Sequence, residues 1–318
     1  MSSTTKLAVP NVVLQSSFSM PVIGFGTASE TNDGDTVKAA AIEAIKLGYR
    51  HFDTASCYGS EQALGEAIAE ALKLGLISSR DQLFITSKLW LSDNHPHLVL
   101  PALQKSLQNL GLEYLDLYLV HFPMSAKPEV RKFYHKEDEL VPFDLKGVWA
   151  SMEQCHNLGL TKSIGVSNFS TKKLEDLLSF ATIPPAVNQV ELNLSWQQKN
   201  LREYCKAKGI MVTAYSPLGA GGTSWGSNDV MESELLKDIA HVHGKSIAQV
   251  SLRWLYEQGV TFAVKSYNKE RMKQNLEIFN FSLTNNDYQK INQIKQERKV
   301  KNGPAGFDLA DLLWDGEN

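Results

Sequence analysis

Four ionisable side chains accompany three consecutive apolar segments in the first half of the sequence. Asp53 lies near the end of the first of these segments and Tyr58 follows it. Lys88 lies near the end of the second segment, and His121 near the end of the third. A lysine and a carboxylate among apolar neighbours should pair, because either charge alone is costly to bury. A lysine near Tyr58 should also favour tyrosinate and lower a phenol pKa that is usually about 10. The set predicts acid catalysis, in which Tyr58 protonates a developing alkoxide and His121 hydrogen-bonds the same oxygen.

Each of these residues alone has an ordinary structural explanation. A lysine–aspartate pair can be purely structural, a tyrosine in a loop usually packs, and a histidine after an apolar strand is more often a core residue than a catalyst. Their occurrence together favours a shared function, provided that the fold brings the ends of the three segments to one place.

Apolar segments alternate with segments of helical spacing along the chain. Several of the apolar segments are nearly continuous, which is typical of parallel strands buried on both faces. The predicted strands are Val22–Thr27, His51–Ala55, Leu83–Leu89, Leu115–Phe122, Ser163–Asn168, Ala186–Leu192, Met211–Pro217 and Phe262–Tyr267. The predicted helices are Thr36–Leu47, Glu61–Leu74, His97–Leu110, Leu145–Leu158, Lys172–Ala181, Gln198–Ala207, Ser233–His243, Ser246–Glu257 and Lys269–Ile278.

Eight strands that alternate with helices predict an α/β fold, a single (β/α)8 TIM barrel over residues 1–318. An open doubly wound sheet would normally carry a GxGxxG turn after its first strand, and the first strand here ends Gly24-Phe25-Gly26-Thr27 instead. Val12–Met20 should form a β-hairpin before the barrel. Met124–Leu140 and Gly219–Asp229 should be long loops over the C-terminal face, where barrels carry their active sites.

Composition argues against several classes of partner. The net charge is −3 in 318 residues, so no nucleic acid or anionic membrane is expected to bind. The three cysteines, Cys57, Cys155 and Cys205, form no CxxC pair and fit a reducing compartment. No signal peptide and no apolar stretch of about 18 residues is found, so we expect a cytoplasmic protein. We also expect it to be a monomer.

Six motifs along the chain resemble the aldo-keto reductases, and the resemblance covers essentially the whole sequence. They are residues 48–55 with Tyr58, Ile85–Trp90, the run ending at His121, Ile164–Phe169, Asn188–Glu191 and Tyr215–Gly219. The resemblance implies that Asp53, Tyr58, Lys88 and His121 are a catalytic tetrad. It also implies an extended NADP(H), preferred as NADPH, lying across the barrel mouth.

Polar residues after the strands suit parts of that cofactor. Ser167, Asn168 and Gln189 offer amides and hydroxyls for the nicotinamide carboxamide, and Tyr215 could stack on the nicotinamide ring. The segment that follows Tyr215 should run beside the pyrophosphate. The other candidate cofactor-binding residues near the barrel mouth are Gly26, Thr27, Asp53, Ser216, Pro217 and Leu218.

Basic residues follow the last strand, where barrels commonly bind phosphate at a helix N-terminus. Lys265 and Arg271 should recognise the adenosine 2′-phosphate of NADPH, together with Ser266, Gln274 and Asn275. The alternative is a solvated basic helix face, since Lys269 and Lys273 lie there too.

Aromatic residues should form the substrate pocket around Tyr58 and His121. Trp90 and Phe122 follow strands at the barrel mouth, and the segments that carry Trp225 and Trp314 are long enough to fold across it. Such walls suit a bulky or aromatic ketone. The alternative for Trp314 is that it only anchors its segment to the surface.

Within the family, short motifs resemble plant reductases of specialised metabolism. Asn94–Leu98, Pro142–Asp144, Trp196–Lys199 and Lys265–Tyr267 resemble the chalcone reductases, whereas Trp225–Ser227 and Leu313–Glu317 resemble the codeinone reductases. This implies a small-molecule carbonyl substrate such as a chalcone-pathway polyketide, and transient contact with a polyketide synthase. An alkaloid ketone or a sugar acid stays open as the substrate.

Two other classes of function are alternatives. A cofactor-binding regulatory subunit would not need the complete tetrad, and a metal-dependent hydrolase would need a His/Asp/Glu cluster at ligand spacing, which the sequence lacks. We therefore expect no metal.

Overall fold

Eight parallel strands close into a barrel in the computed structural model, which describes residues 9–28, 33–132, 134–301, 303–304 and 307–317. The barrel order is β3-β4-β5-β6-β9-β10-β11-β12, and β12 pairs with β3. Its strands are β3 (Ile23–Gly26), β4 (His51–Asp53), β5 (Phe84–Leu89), β6 (Leu117–Val120), β9 (Ile164–Ser167), β10 (Val187–Glu191), β11 (Met211–Tyr215) and β12 (Thr261–Val264). The predicted (β/α)8 barrel is confirmed.

Helices surround the barrel and bury one face each against it. They are α1 (Gly34–Leu47), α2 (Glu61–Lys73), α3 (Val99–Leu110), α4 (Leu145–Asn157), α5 (Thr171–Phe180), α6 (Lys199–Ala207), α7 (Glu234–His243), α8 (Ile247–Glu257), α9 (Lys269–Leu276), α10 (Asn285–Ile291) and α11 (Ala310–Trp314). Helices α2 and α3 approach closely at Gly65, where a Cβ atom would lie 2.3 Å from the Leu110 carbonyl oxygen. Only glycine fits that contact.

A β-hairpin precedes the barrel, as predicted. Strands β1 (Asn11–Val13) and β2 (Ser19–Pro21) pair antiparallel, with Val12 opposite Met20. Leu14 and Met20 pack on residues that begin barrel strands, including Phe84 and Leu117. The hairpin therefore covers the N-terminal end of the barrel, away from the mouth.

The loop after β6 contains structure that the sequence did not predict. Strands β7 (Ser125–Ala126) and β8 (Leu140–Val141) pair antiparallel within the predicted excursion 124–140. Helices α10 and α11 were also missed. The prediction was wrong there because the helical segments are short: α10 spans only 7 residues and α11 only 5.

Most barrel strands are shorter than predicted. Strand β6 ends at Val120 rather than Phe122, β11 at Tyr215 rather than Pro217, and β12 at Val264 rather than Tyr267. The residues beyond these ends turn away from the ladder and form loops at the C-terminal face. No helix among the described residues combines the length and apolarity needed to cross a membrane.

Candidate active site

A buried ion pair joins β4 and β5 at the barrel mouth. The Lys88 Nζ atom lies 2.6 Å from Asp53 Oδ1, and Lys88 is 0% exposed. Lys88 also donates to the Thr54 carbonyl oxygen, while Gln189 Nε2 donates to the other Asp53 oxygen at 2.8 Å. Both charges are therefore paired and hydrogen-bonded, as burial in the barrel requires.

The Tyr58 hydroxyl lies between Lys88 and His121. A short 3-10 helix, Ser56–Tyr58, follows β4 and turns the phenol back over the mouth. Its oxygen is 3.4 Å from Lys88 Nζ and 3.3 Å from His121 Nε2. The structure thus links the four predicted residues of the tetrad in series: Asp53 contacts Lys88, Lys88 contacts Tyr58, and Tyr58 contacts His121.

The expected effect of Lys88 on the Tyr58 pKa was wrong. Burial, reinforced by the negative charge of Asp53, raises the pKa of Tyr58 well above its ordinary value of 10.0. The Lys88 charge is compensated by the Asp53 carboxylate at 2.6 Å, so it does not offset the loss of water around the phenol. Tyr58 consequently keeps its proton at neutral pH.

His121 is neutral in this setting. Burial and the nearby Lys88 charge hold the pKa of His121 well below its ordinary 6.5. Its Nε2 atom faces Tyr58, and its Nδ1 atom is 3.7 Å from the Cys57 sulfur. Sequence analysis did not assign Cys57 to the site, although its position next to Tyr58 was a usable signal.

Residues proposed to hold a nicotinamide lie beside the tetrad. Asn168 Nδ2 donates to the His121 carbonyl oxygen at 2.9 Å, and the Tyr215 hydroxyl donates to Asn168 Oδ1 at 2.7 Å. Ser167 Oγ donates to the Gln189 carbonyl oxygen at 2.8 Å. Polar amide and hydroxyl groups and one aromatic ring therefore converge at the ends of β9, β10 and β11.

Other predicted cofactor contacts lie at the end of β3 and just after β11, where Ser216 begins the segment predicted to run beside the pyrophosphate. Thr27 Oγ1 is 2.8 Å from Ser60 Oγ, and a Cβ atom added at Gly26 would lie 3.6 Å from Lys265 Cβ. Ser216 adopts a left-handed φ of 49° and starts the turn that contains Pro217 and Leu218. The chain leaves the barrel at this turn, where Ser216 and Leu218 are half-buried and Pro217 is buried.

Cations cluster where α9 begins. Asn268 caps the helix by accepting a hydrogen bond from the Arg271 backbone amide, and Ser266 Oγ accepts from the Asn268 amide. Lys265, Arg271 and Gln274 are exposed, whereas Asn275 is 3% exposed. Within the described ranges no carboxylate pairs with Lys265 or Arg271, while Lys269 pairs with Glu43 at 2.8 Å.

An aromatic wall stands beside the tetrad. The ring centroids of Trp90 and His121 are 5.1 Å apart, and those of Trp90 and Phe122 are 6.3 Å apart. Trp314, 2% exposed, belongs to the same apolar cluster as Trp90 and Phe122. Trp225 is partly exposed and lies outside that cluster. The structure thus brings Trp314 to the wall, and the role of Trp225 stays a prediction.

The segment from Lys299 onward, which we call the tail segment, reaches this wall through Gly303. That residue has a left-handed φ of 55°, and a Cβ atom there would lie 2.8 Å from the Phe122 ring. Arg298, just before the tail segment, stacks beneath Trp314 at 3.7 Å and over Trp196 at 4.7 Å. Arg298 was not predicted from the sequence, because it lies in a run of charged residues that is typical of a solvent-exposed surface.

A metal site is not evident: the described residues contain no group of three His, Cys, Asp or Glu side chains that could hold an ion.

The fold and the site define a barrel oxidoreductase, and sequence comparison assigns its family. The profile described as the Aldo/keto reductase family matches residues 22–296. The chain belongs to the aldo/keto reductase family and is an oxidoreductase that acts on carbonyl groups.

Individual relatives confirm the resemblance to plant reductases. The chain is 61% identical over 314 residues to an "NAD(P)H-dependent 6'-deoxychalcone synthase" of Glycine max, with 98% of each chain covered. It is 58% identical to "NADPH-dependent codeinone reductase 1-4" of Papaver somniferum, with 96% of this chain and 98% of the relative covered. A Bombyx mori aldo-keto reductase solved in complex with NADP is 37% identical, with a TM-score of 0.85 and with 95% of this chain and 96% of that chain covered.

Proposed function

We propose that this chain reduces a ketone or aldehyde to an alcohol with hydride from NADPH, and that Tyr58 is the acid. The observation that carries the proposal is the Tyr58 hydroxyl, which lies 3.4 Å from Lys88 Nζ and 3.3 Å from His121 Nε2. A carbonyl oxygen placed at this hydroxyl would meet the proton donor and the imidazole together.

The residues around the mouth fit NADPH. The amides of Asn168 and Gln189 and the ring of Tyr215 match a carboxamide and a flat ring. Lys265 and Arg271 are exposed near the start of α9 and have no carboxylate partner among the described residues, so they match an extra phosphate. When bound, NADPH supplies the hydride. The plant relatives whose names include NADPH, and the insect structure with NADP, support the same cofactor.

Each tetrad residue then has a defined task. Tyr58, neutral at pH 7, transfers its phenol proton to the carbonyl oxygen as that oxygen gains charge. Lys88, held by Asp53, stabilises the tyrosinate that is left behind, since its ammonium is already positioned 3.4 Å away. Neutral His121 orients the oxygen by donating from Nε2 to it.

The proposed substrate is a bulky or aromatic ketone of plant specialised metabolism, such as a chalcone-pathway polyketide. The wall of Trp90, Phe122 and Trp314 supports it, because aromatic rings offer large, flat apolar contacts. The names of the Glycine and Papaver relatives support the same class. An alkaloid ketone is the second candidate, favoured by the Papaver relative, and a sugar acid fits the aromatic wall less well.

We propose that the chain works as a cytoplasmic monomer. The three cysteines are free, as a reducing compartment predicts, and all four tetrad residues come from one chain. Contact with a polyketide synthase stays a prediction, since no surface of the described residues identifies such a partner.

A substrate panel tests the proposed function. Purified protein should oxidise NADPH, followed by the loss of its near-ultraviolet absorbance, when given chalcone-type polyketides, alkaloid ketones or simple aromatic aldehydes. NADH should support slower turnover. Tight NADPH binding without oxidation on any carbonyl compound would contradict the proposal and favour the cofactor-binding regulatory subunit.

A further inference from the structure

Carboxylates of the tail segment lie at the first turn of α5, outside the substrate pocket. Asp315 accepts a hydrogen bond from Ser170 Oγ and forms an ion pair with Lys173, whose Nζ atom is 2.5 Å from Asp315 Oδ2. Glu317 Oε1 accepts from the Thr171 backbone amide at 2.7 Å. Ser170 is the N-cap of this ten-residue helix. The two carboxylates therefore satisfy N-terminal groups of α5 and face the positive end of its dipole.

The same segment carries Trp314 into the pocket wall. Asp315 follows Trp314 directly, in a left-handed conformation with a φ of 54° that fixes the direction of the chain between them. Trp314 Nε1 donates to the Lys301 carbonyl oxygen at 2.6 Å, and its ring covers the buried Arg298 guanidinium. Arg298 in turn donates to the Glu317 carbonyl oxygen at 2.8 Å. These contacts fix the ring within the tail segment, and Asp315 and Glu317 fix the tail segment to α5.

We propose that Asp315 and Glu317 form a latch on α5 that sets the position of Trp314, and that they thereby determine which carbonyl compounds the pocket accepts. The inference rests on the proposed carbonyl reduction and makes both carboxylates positioning residues, since neither touches the tetrad. Releasing the latch frees the Trp314 ring from its packing against Phe122 and Trp90. A bulky ketone then loses contacts that a small aldehyde never makes.

Charge-removing variants that keep shape test the latch. Asp315→Asn retains a side chain that tolerates the left-handed region, so it removes charge without backbone strain. Lys173→Met removes the partner charge from α5. Lys172→Met is the matched control, because its ammonium is 3.7 Å from Asp315 but the side chain is 79% exposed.

Steady-state kinetics give the first measurement. Propanal is the small substrate, and the diaryl ketone with the highest wild-type kcat is the bulky one. Asp315→Asn and Lys173→Met should each raise KM for the diaryl ketone by roughly 5- to 30-fold, which corresponds to about 1–2 kcal/mol of lost interaction. The double variant should be no worse than either single one, because both remove the same interaction. KM for propanal and the Kd of NADPH should stay unchanged, and Lys172→Met should change KM by less than about two-fold.

Amide hydrogen exchange gives a measurement that does not need turnover. Glu317→Ala removes the acceptor of the Thr171 amide, so that amide should exchange faster while the barrel strands keep their protection. Unchanged Thr171 exchange, equal losses for propanal and the diaryl ketone, or no kinetic effect of Asp315→Asn would each overturn the latch. A wild-type protein that oxidises NADPH with no carbonyl compound would overturn the proposed function instead, whereas the exchange result would still show whether Glu317 caps α5.

Discussion

Burial acts on Tyr58 and His121 with opposite signs and leaves both neutral. It raises the pKa of the phenol above 10.0 and lowers the pKa of the imidazole below 6.5, because the charged form of each group loses water. Both shifts therefore favour a protonated Tyr58 and an uncharged His121 at neutral pH. An acid that holds its proton next to a neutral hydrogen-bond donor is the arrangement that carbonyl reduction needs.

The rate of the reductive step should consequently be flat across this window. We expect single-turnover NADPH oxidation to vary little between pH 6.5 and 10.0, the ordinary values of the two groups. Rapid mixing at a saturating ketone concentration measures it. A titration with a midpoint inside the window would show that one of the two side chains changes charge there, contrary to the direction of both shifts.

At the same scale, sequence could identify the tetrad but not its electrostatics. The motifs place Asp53, Tyr58, Lys88 and His121 at successive strand ends, and a barrel necessarily brings such ends together. The pKa direction of Tyr58 depended on how completely Asp53 compensates Lys88 and on how much water reaches the phenol. Both are properties of three-dimensional packing, which spacing along a chain does not encode.

Among the elements, α9 supports the most specific functional prediction, which concerns recognition of the cofactor's extra phosphate. Its first turn presents Arg271 to solvent with no carboxylate partner among the described residues, whereas Lys269 on the same turn is paired with Glu43. One cation is available for a phosphate and the other is engaged.

Arg271→Ala should therefore weaken NADPH binding and leave NADH binding nearly unchanged, since only NADPH carries the 2′-phosphate. A charge-assisted hydrogen bond contributes about 1.5–3 kcal/mol, which is roughly one to two decades in Kd. Fluorescence titration with both cofactors measures it, and Lys269→Ala serves as the control with a smaller expected effect. Equal losses for both cofactors would remove Arg271 from phosphate recognition.

Elements with long periodic patterns were predictable, and short ones were not. The β1–β2 hairpin and α1 to α9 follow from periodicity and from turn residues. Helix α10 begins with a capping box between Thr284 and Asp287, a signal present in the sequence but attached to only seven residues. Strands β7 and β8 have two residues each and form only because the loop folds back on itself.

On the scale of the whole molecule, the two ends of the barrel have different tasks. The hairpin covers the N-terminal end with Leu14 and Met20, while loops and the tail segment build the opposite mouth. Sequence analysis left Trp225 and Trp314 as equal candidates for the pocket wall. Their placement depends on contacts between residues far apart in the sequence, such as Gly303 and Phe122, and local sequence patterns do not predict such contacts.

The two tryptophans should differ in effect. Trp314→Ala removes a ring that is 2% exposed and packed with Trp90 and Phe122, so kcat/KM for bulky aromatic ketones should fall by at least about ten-fold, which corresponds to about 1.4 kcal/mol of lost contact. Activity toward a small aldehyde should persist. Trp225→Ala is the matched variant and should change the ratio of the two activities much less. A larger shift for Trp225→Ala would assign the wall to the 219–229 loop instead.

The acid role of Tyr58 is the central claim, and one substitution tests it most directly. Tyr58→Phe keeps the ring and removes the proton donor, while Tyr118→Phe is a matched control that removes a buried hydroxyl with no hydrogen-bond partner among the described residues. General acid catalysis accelerates such steps by about 10²–10⁴-fold. Single-turnover NADPH oxidation by Tyr58→Phe should therefore be slower by at least about 100-fold, with an unchanged Kd for NADPH, and Tyr118→Phe should match the wild type. Near-normal turnover by Tyr58→Phe would contradict the account.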